Sequence, residues 1–205
     1  MVTGGPKRMV LVPGAGGRGE FWGPIRDRLP DFETVTLDWP GVNGVPPDPL
    51  VQSYDDFANR VAGLFDRPGV LVAQSAGGLP AALVALRRPE LVTHLVLIAT
   101  SAGLPTEEFG AVNWRTGLRH ENPGNPEWIE ERIDLRAELP RLGVPTLLIW
   151  ARDDEISPVV VGVRLHQLIP DSTLVSFPSD DHWVAHQRAD EIAAVIRAHA
   201  TRASS

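Results

Sequence analysis

The sequence contains no cysteine among its 205 residues. This absence excludes disulfide bonds, catalysis by a thiolate and metal sites built from cysteine. Long apolar runs are also missing, because no segment approaches the roughly 20 apolar residues that a membrane-spanning helix needs. We therefore expect neither a disulfide framework nor a membrane span.

Positive charge is scarce as well. The 19 Lys and Arg residues are outnumbered by 26 Asp and Glu residues, which gives a net charge of −7, and they form no basic run. A nucleic-acid partner or an anionic membrane surface is therefore not expected. Residues 1–8 are polar and contain glycine and proline, unlike a signal peptide, so we expect a soluble cytoplasmic protein.

What remains is a globular composition, 43% hydrophobic and 22% charged, with a length that suits one domain. Short, continuous apolar runs alternate with stretches of helical spacing, a pattern typical of buried parallel strands between helices. The sequence therefore predicts an α/β fold, a three-layer sandwich with about six mostly parallel strands. The predicted strands are residues 9–12, 34–37, 70–73, 95–99, 146–150 and 173–177, and the predicted helices are 21–29, 54–65, 79–88, 159–168 and 190–200.

Residues 101–139 break the alternation, because they contain several prolines and glycines with poor periodicity. We interpret this segment as a short cap insertion with two short helices, lying over the edge of the sheet within a single domain of residues 1–205. In a parallel sheet with right-handed crossovers, the loops after all strands meet at one edge, where a site is expected.

Residues 70–78 read VLVAQSAGG, an apolar strand that runs into Ser75 between small residues, just before a predicted helix. A serine in this position lies on a tight turn that exposes its oxygen at the edge of the sheet. Small residues at Ala73 and Gly77 suit such a turn, because a larger Cβ substituent would collide across it. The segment is typical of a nucleophile elbow, although a structural serine in an ordinary strand-to-helix turn can have the same sequence pattern.

Acyl transfer by a serine needs a base, an acid that orients the base, and donors for the oxyanion. His182 follows the last predicted strand and is the candidate base, whereas His186 more plausibly begins the final helix. Asp153 and Asp154 follow the preceding strand and are the candidate acids. A metal site at 180–182 is not expected, since no further ligand cluster has a usable spacing.

The glycine-rich turn at residues 13–17 follows the first strand and has backbone N–H groups that could face the nucleophile, together with the N–H of Ala76. It is not a nucleotide loop, because no lysine follows and the spacing is not G-x-G-x-x-G. Trp22, Trp39 and Trp183 lie near strand ends. They form either ordinary core or an apolar pocket for substrate, which Trp114 and Trp128 of the insertion could close.

These segments resemble the α/β-hydrolase superfamily over nearly the whole chain. Residues 10–17 resemble its first strand and oxyanion loop, with Pro13 in place of the usual histidine. Residues 150–158 resemble its acid turn, and residues 181–183 resemble its histidine loop, with Asp181 in place of the usual glycine. Other similar segments are 37–41, 88–91 and 94–99. The resemblance implies a small esterase-like member with a reduced cap and a truncated N-terminal part.

The resemblance also implies roles for single residues. Because the acidic residue of the turn normally precedes a proline by four positions, it selects Asp154. Ser75 would be the nucleophile and His182 the base, and the N–H groups of Ala15 and Ala76 would bind the oxyanion. Gly14 and Gln74 are assigned to the substrate pocket with the three tryptophans, and no cofactor or metal is required.

The implied activity is hydrolysis of a small carboxylic ester or related acyl compound through an acyl-enzyme. The same fold also hosts lyases, perhydrolases and C–C bond hydrolases, and a ligand-binding or signalling protein is a further alternative. The sequence leaves the oligomeric state open.

Overall fold

Six parallel strands form one sheet, in the spatial order β2-β1-β3-β4-β5-β6. The computed structural model describes residues 7–116 and 124–202. The strands are β1 (Lys7–Val12), β2 (Phe32–Thr36), β3 (Gly69–Gln74), β4 (Val92–Ile98), β5 (Thr146–Ala151) and β6 (Ser172–Phe177). Together with the helices on its two faces, this sheet confirms the predicted fold class.

The burial of each strand explains why the apolar runs are continuous. Every residue of β3 and β5 is buried, since both strands lie inside the sheet with helices above and below. In β6, which forms one edge, most residues are only half-buried. The strands that precede Ser75 and Asp154 are therefore fully enclosed, whereas the strand that precedes His182 lies at the edge of the sheet.

Two apolar clusters form the core, one on each face of the sheet. One face packs against α2, α3 and α4, and the other packs against α1, α5 and α6. The helices are α1 (Gly23–Asp27), α2 (Tyr54–Ala62), α3 (Gly78–Arg87), α4 (Val159–Leu168), α5 (Val184–Gln187) and α6 (Ala189–Ala200). None of the helices in the described ranges is long and apolar enough to cross a membrane.

The structure differs from the sequence prediction mainly where proline or glycine interrupts a helix. The predicted helix at 21–29 is a 3₁₀ turn, Gly19–Trp22, followed by α1, which has Pro24 in its first turn. Proline lacks an N–H and suits the first turn of a helix rather than its interior. The helix predicted to reach residue 65 ends at Ala62, before Gly63.

The described part of the 101–139 insertion contains short 3₁₀ turns at Thr106–Phe109 and Glu127–Glu130, and a third, Leu139–Arg141, begins at its end. Residues 114–116 are α-helical, and the expectation of two short helices in the insertion stays a prediction. Residues 117–123 lie outside the described residues. The part of the insertion before residue 117 lies at the edge of the sheet where β3, β4 and β5 end. It lines the cavity that is described with the candidate active site.

Candidate active site

Ser75 lies on a strained turn between β3 and α3. Its backbone has a φ of +55°, in the left-handed region that non-glycine residues rarely adopt. A conformation of this kind costs on the order of 1–3 kcal/mol and persists only where the surroundings hold it in place. The turn lifts the hydroxyl away from the buried strand and leaves the residue partly exposed, as predicted for a nucleophile elbow.

Close contacts with the end of β1 hold this turn. A Cβ on Gly77 would run into the carbonyl oxygen of Pro13, so only glycine fits there. A Cβ on Gly14 would lie 3.1 Å from Ser75 Cβ and 3.5 Å from its Oγ. Gly14 therefore lets the oxyanion turn pack directly against the nucleophile, and its part in the site is this absence of a side chain.

The structure brings Ser75, His182 and Asp154 together in one hydrogen-bonded row. Ser75 Oγ lies 2.8 Å from His182 Nε2. His182 Nδ1 lies 2.8 Å from Asp154 Oδ2. A carboxylate can only accept, so Nδ1 carries the proton and donates to Asp154, which leaves Nε2 of the neutral ring to accept from the serine hydroxyl.

The turn after β5 fixes the carboxylate of Asp154. Its other oxygen, Oδ1, accepts hydrogen bonds from the backbone N–H groups of Ile156 and Ser157, each of 2.9 Å. The side chains of Asp154 and His182 are 0% and 5% exposed, so water hardly competes for their contact. The neighbouring Asp153 is exposed instead.

The oxyanion turn has the geometry that its glycines predict. Gly17 N–H donates to the Gly14 carbonyl, 2.9 Å away, and Gly16 has a φ of +74°. This is the pattern of a type II turn, which requires a glycine-like residue at its third position. Asn43 Nδ2 donates to the Gly16 carbonyl at 2.9 Å and steadies the turn from outside. Ala15, at the second position of the turn, is half-buried.

Ala76 contributes the second candidate donor. It lies in the 3₁₀ turn Ser75–Gly77, where the first N–H groups of a helix have no carbonyl partner within it. The strand β3 lies between β1 and β4, so the oxyanion turn that follows β1 is next to the elbow that follows β3. The turns that carry Ala15 and Ala76 are therefore neighbours at this edge of the sheet.

Residues 9–136 match the alpha/beta hydrolase family. The chain belongs to this family. The matched stretch includes Ala15, Ser75 and Ala76 and ends before Asp154 and His182.

Two relatives of known name illustrate the range of this family. A 2-hydroxy-6-oxononadienedioate/2-hydroxy-6-oxononatrienedioate hydrolase from a Pseudomonas species is 26% identical over 241 positions, covering 91% of this chain and 85% of that protein. A pimeloyl-[acyl-carrier protein] methyl ester esterase from Neisseria meningitidis serogroup B is 26% identical, covering 93% of this chain and 92% of that protein. The first alignment exceeds the 205 residues of this chain by 36 positions, so that relative has residues without a counterpart here.

Solved structures share the fold. The enol-lactonase from Burkholderia xenovorans LB400 superposes with a TM-score of 0.79 at 21% identity, covering 98% of this chain and 94% of that one. A thermophilic esterase from Thermogutta terrifontis gives a TM-score of 0.78 at 22% identity, covering 96% and 90%. At this level of identity the likeness concerns the fold alone.

The side chain of Gln74 does not lie in the substrate pocket, where it was expected from the sequence. Its side chain is fully buried, and its Nε2 donates a 3.0 Å hydrogen bond to the backbone carbonyl of His182. Its Oε1 is buried without a hydrogen-bond partner. The expectation that it lines the substrate pocket is thus corrected, because the amide instead ties the end of β3 to the histidine loop.

Two of the three tryptophans assigned to the pocket belong to the core. Trp22 and Trp39 are both 0% exposed, so neither forms a pocket wall. Trp39 stacks on Trp128 at 5.7 Å between ring centroids, which also places Trp128 in the core rather than over the site. Only Trp183, 47% exposed and beside His182, has the accessible ring that was expected.

A small cavity opens on Ser75. Its volume is about 30 Å³, which is space for only a few water-sized groups. The cap segment and the acid turn close it together, since the N–H of Val112 donates to the carbonyl of Ile156 at 3.1 Å. Its lining residues are Ser75, Ala76, Ala99, Thr100, Ser101, Thr106, Ala111, Val112, Trp114, Ile156, Ser157 and His182.

Sequence reasoning missed most of this lining. Thr106 and Val112 lie in the aperiodic insertion, where no pattern marks a side chain as facing the site. Ala99 is a further case, because its φ of +46° turns the chain out of β4 at the cavity. The one available signal was its position as the last residue of the strand predicted at 95–99, which places it at the same sheet edge as Ser75.

Proposed function

We propose that this protein is a serine hydrolase that cleaves small carboxylic esters or related acyl compounds through an acyl-enzyme. The observation that carries the proposal is the row Ser75 Oγ, His182 Nε2, His182 Nδ1 and Asp154 Oδ2, with 2.8 Å at each of its two hydrogen bonds. A nucleophile, a base and a group that orients the base within hydrogen-bond reach are the requirements of this chemistry.

In acylation, Ser75 Oγ forms a bond with the carbonyl carbon while its proton passes to His182 Nε2. The carbonyl oxygen becomes an oxyanion between the N–H groups of Ala15 and Ala76, and Asp154 stabilises the imidazolium. The bond between carbon and alcohol oxygen then breaks. The proton on Nε2 goes to that oxygen, so the alcohol leaves neutral and the acyl group remains on Ser75.

In deacylation, water repeats the same steps. His182 takes a proton from the water as its oxygen attacks the acyl carbon, and the proton returns to Ser75 Oγ as the second tetrahedral species collapses. The products are a carboxylic acid and the free enzyme. The 2.8 Å distance between Ser75 Oγ and His182 Nε2 supports the proton transfers in both stages.

The cavity beside Ser75 supports a short acyl group. With a volume of about 30 Å³, it has room for an acetyl-sized group, and a longer chain would have to extend into the adjoining cavity of about 130 Å³, which shares Ser101, Thr106, Val112 and Trp114 with it. None of the described residues that line the cavity on Ser75 is a lysine or an arginine. An uncharged acyl group therefore fits better than one carrying a carboxylate, because an unpaired buried charge is costly.

A second candidate is cleavage of a C–C bond, favoured by the similarity to the Pseudomonas hydrolase of an oxononadienedioate. A dioate carries two carboxylates. The space directly on Ser75 has no cationic side chain among its described lining, whereas the adjoining cavity contains Arg115 and Arg132. Ester cleavage is the first proposal because it needs only the groups beside Ser75, and the name of the Neisseria relative is consistent with it.

The test is turnover of p-nitrophenyl acetate, butyrate and octanoate by the natural protein and by Ser75→Ala. We expect hydrolysis that depends on Ser75 and declines from acetate to octanoate. Labelling by a fluorophosphonate probe should occur at Ser75 and disappear in the variant. A folded protein that neither hydrolyses these esters nor reacts with the probe would instead be a ligand-binding member of the family.

A further inference from the structure

A second, larger hollow adjoins the site, and its volume is about 480 Å³. We call it the aromatic hollow. Its lining residues are Ala15, Gly16, Gly17, Phe21, Asn43, Asp181, Trp183 and His186. It includes the candidate oxyanion donor Ala15 and the two residues on either side of His182 in the chain, Asp181 and Trp183. The hollow therefore lies next to the candidate catalytic residues.

The two spaces lie on different sides of the nucleophile. Ser75 follows β3, whose neighbours in the sheet are β1 and β4. The aromatic hollow borders the loop after β1, the small cavity borders the loops after β4 and β5, and the histidine loop after β6 borders both. An ester bound at Ser75 has two arms, and each arm has its own space.

Three rings give the aromatic hollow its character. Phe21 meets Trp183 edge to face at 6.0 Å and lies 6.0 Å from the ring of His186. Trp183 is 47% exposed and also stands edge to face against His182 at 5.2 Å. Its backbone is fixed, because Asp181 Oδ1 accepts the N–H of Trp183 at 2.7 Å. An exposed indole held this firmly beside the base is a ready surface for a flat apolar group.

The chemistry and the two volumes together assign an arm of the ester to each space. His182 Nε2 must reach the leaving oxygen to give it a proton, so the alcohol arm has to lie beside the histidine loop. That loop supplies His182 to the small cavity and Asp181 and Trp183 to the aromatic hollow, so it borders both spaces. The volumes separate them, because about 480 Å³ has room for a bulky alcohol arm whereas about 30 Å³ on Ser75 suits a short acyl arm.

We propose that the aromatic hollow is the leaving-group subsite of this protein and that it selects esters of uncharged aromatic alcohols with short acids. This inference rests on the proposed function and adds its substrate class. Charge favours an uncharged alcohol over a phosphorylated one, since the hollow contains the carboxylate of Asp181 and no lysine or arginine among its described lining.

The test compares 2-naphthyl acetate with ethyl acetate, which share an acyl group and differ in the alcohol. We expect Trp183→Ala to lower the ratio of the two kcat/KM values, naphthyl over ethyl, by about tenfold, the value of one aromatic contact. Trp183→Phe should keep most of the ratio because it retains a ring. Val163→Ala, which removes an exposed apolar side chain from α4, is the control and should leave the ratio unchanged.

A second measurement needs no variant. 2-Naphthol should inhibit the hydrolysis of ethyl acetate by the natural protein competitively, and cyclohexylmethanol should do so at least fivefold more weakly, because it lacks a flat ring. An equal loss of both esters in Trp183→Ala, or an absence of inhibition by 2-naphthol, would overturn the assignment.

The fluorophosphonate probe separates the two levels of the proposal. Its leaving group is fluoride, so labelling of Ser75 does not require the aromatic hollow. Absence of labelling in the natural protein counts against the proposed function itself. Labelling together with an unchanged naphthyl-to-ethyl ratio in Trp183→Ala counts against the leaving-group subsite alone.

Discussion

The indole N–H of Trp39 donates a 2.8 Å hydrogen bond to the carbonyl oxygen of Pro13. Pro13 begins the oxyanion turn, and the same carbonyl oxygen is the one that excludes a side chain from Gly77. A fully buried ring thus fixes the peptide at which the oxyanion turn and the nucleophile elbow meet. We infer that Trp39 is a positioning residue that acts on the site through this peptide, because its ring is fully buried.

Replacing Trp39 by Phe tests this role. The variant loses the donor to Pro13 and leaves a buried carbonyl without this partner, so the turn that carries Ala15 should shift. We expect kcat to fall by about tenfold to a hundredfold, less than the loss of a whole oxyanion donor, with a smaller change in KM. Steady-state kinetics with p-nitrophenyl acetate would measure both constants.

Trp22→Phe is the matched control for that experiment. Trp22 is also 0% exposed, but its Nε1 is buried without a hydrogen-bond partner. The same truncation there removes ring volume and no hydrogen bond, so kcat should stay within about threefold of the natural value. Equal losses of kcat in the two variants would show that packing, rather than the bond to Pro13, matters.

Asp154→Asn should lower kcat by about 10⁴-fold, because an amide in this position favours the wrong tautomer of the imidazole. Its neighbour supplies the control, since Asp153 is exposed. Asp153→Asn should reduce kcat by less than about twofold. If instead the variant at 153 were the inactive one, the assignment of the acid would be wrong.

Val112→Ala should enlarge the acyl cavity without removing the backbone N–H that bonds to Ile156. The substitution removes two methyl groups from the lining, and each buried methylene of substrate is worth about 0.8 kcal/mol. We expect the ratio of kcat/KM for p-nitrophenyl butyrate over acetate to rise by about three- to tenfold. Val160→Ala, also an exposed valine, should leave the ratio as it is.

Two buried histidines lie at the end of the sheet where the strands begin, away from Ser75, and they predict that the stability of the protein depends on pH. His94 and His199 stand edge to face at 5.1 Å, and each ring Nε2 lies within 3.2 Å of a backbone carbonyl oxygen. Desolvation by burial lowers the pKa of both rings below the ordinary value of 6.5. For His199 the nearby His94 lowers the pKa further.

The direction of the effect follows from proton linkage. Below about pH 6.5 the unfolded chain binds protons that the folded protein excludes, so stability is complete above that pH and falls as the pH drops through the folded pKa values. Melting temperatures at pH 7.5 and 5.5 should differ less in the His94→Gln/His199→Gln double variant than in the natural protein. His166→Gln, at an exposed site, should retain the full difference.

The positions of the strands along the chain could be predicted from the sequence because buried parallel strands are continuous apolar runs. The strands predicted at residues 146–150 and 173–177 are Thr146–Ala151 and Ser172–Phe177 in the structure. The juxtaposition of Ser75, Asp154 and His182 followed from the same logic, since each lies after a strand at one sheet edge. Their catalytic roles remain a prediction.

Side-chain direction could not be predicted in this way. Trp22 and Trp183 both lie near predicted loops, yet the first is fully buried and the second is 47% exposed. Gln74, next to the nucleophile in sequence, points to the backbone of a loop 108 residues away. Such contacts depend on the packing of distant segments, which leaves no periodic signal in one chain.

The hydrogen bond between Val112 N–H and the Ile156 carbonyl joins the segment over the entrance to the turn that holds the acid. Ile156 in turn donates its own N–H to Asp154 Oδ1. A backbone change that widened the entrance of the cavity on Ser75 would therefore also displace the carboxylate of Asp154. We therefore expect the size of the accepted substrate to change mainly through smaller or larger side chains in the segment around Val112. The length and the backbone path of that segment should stay constrained by its link to Asp154.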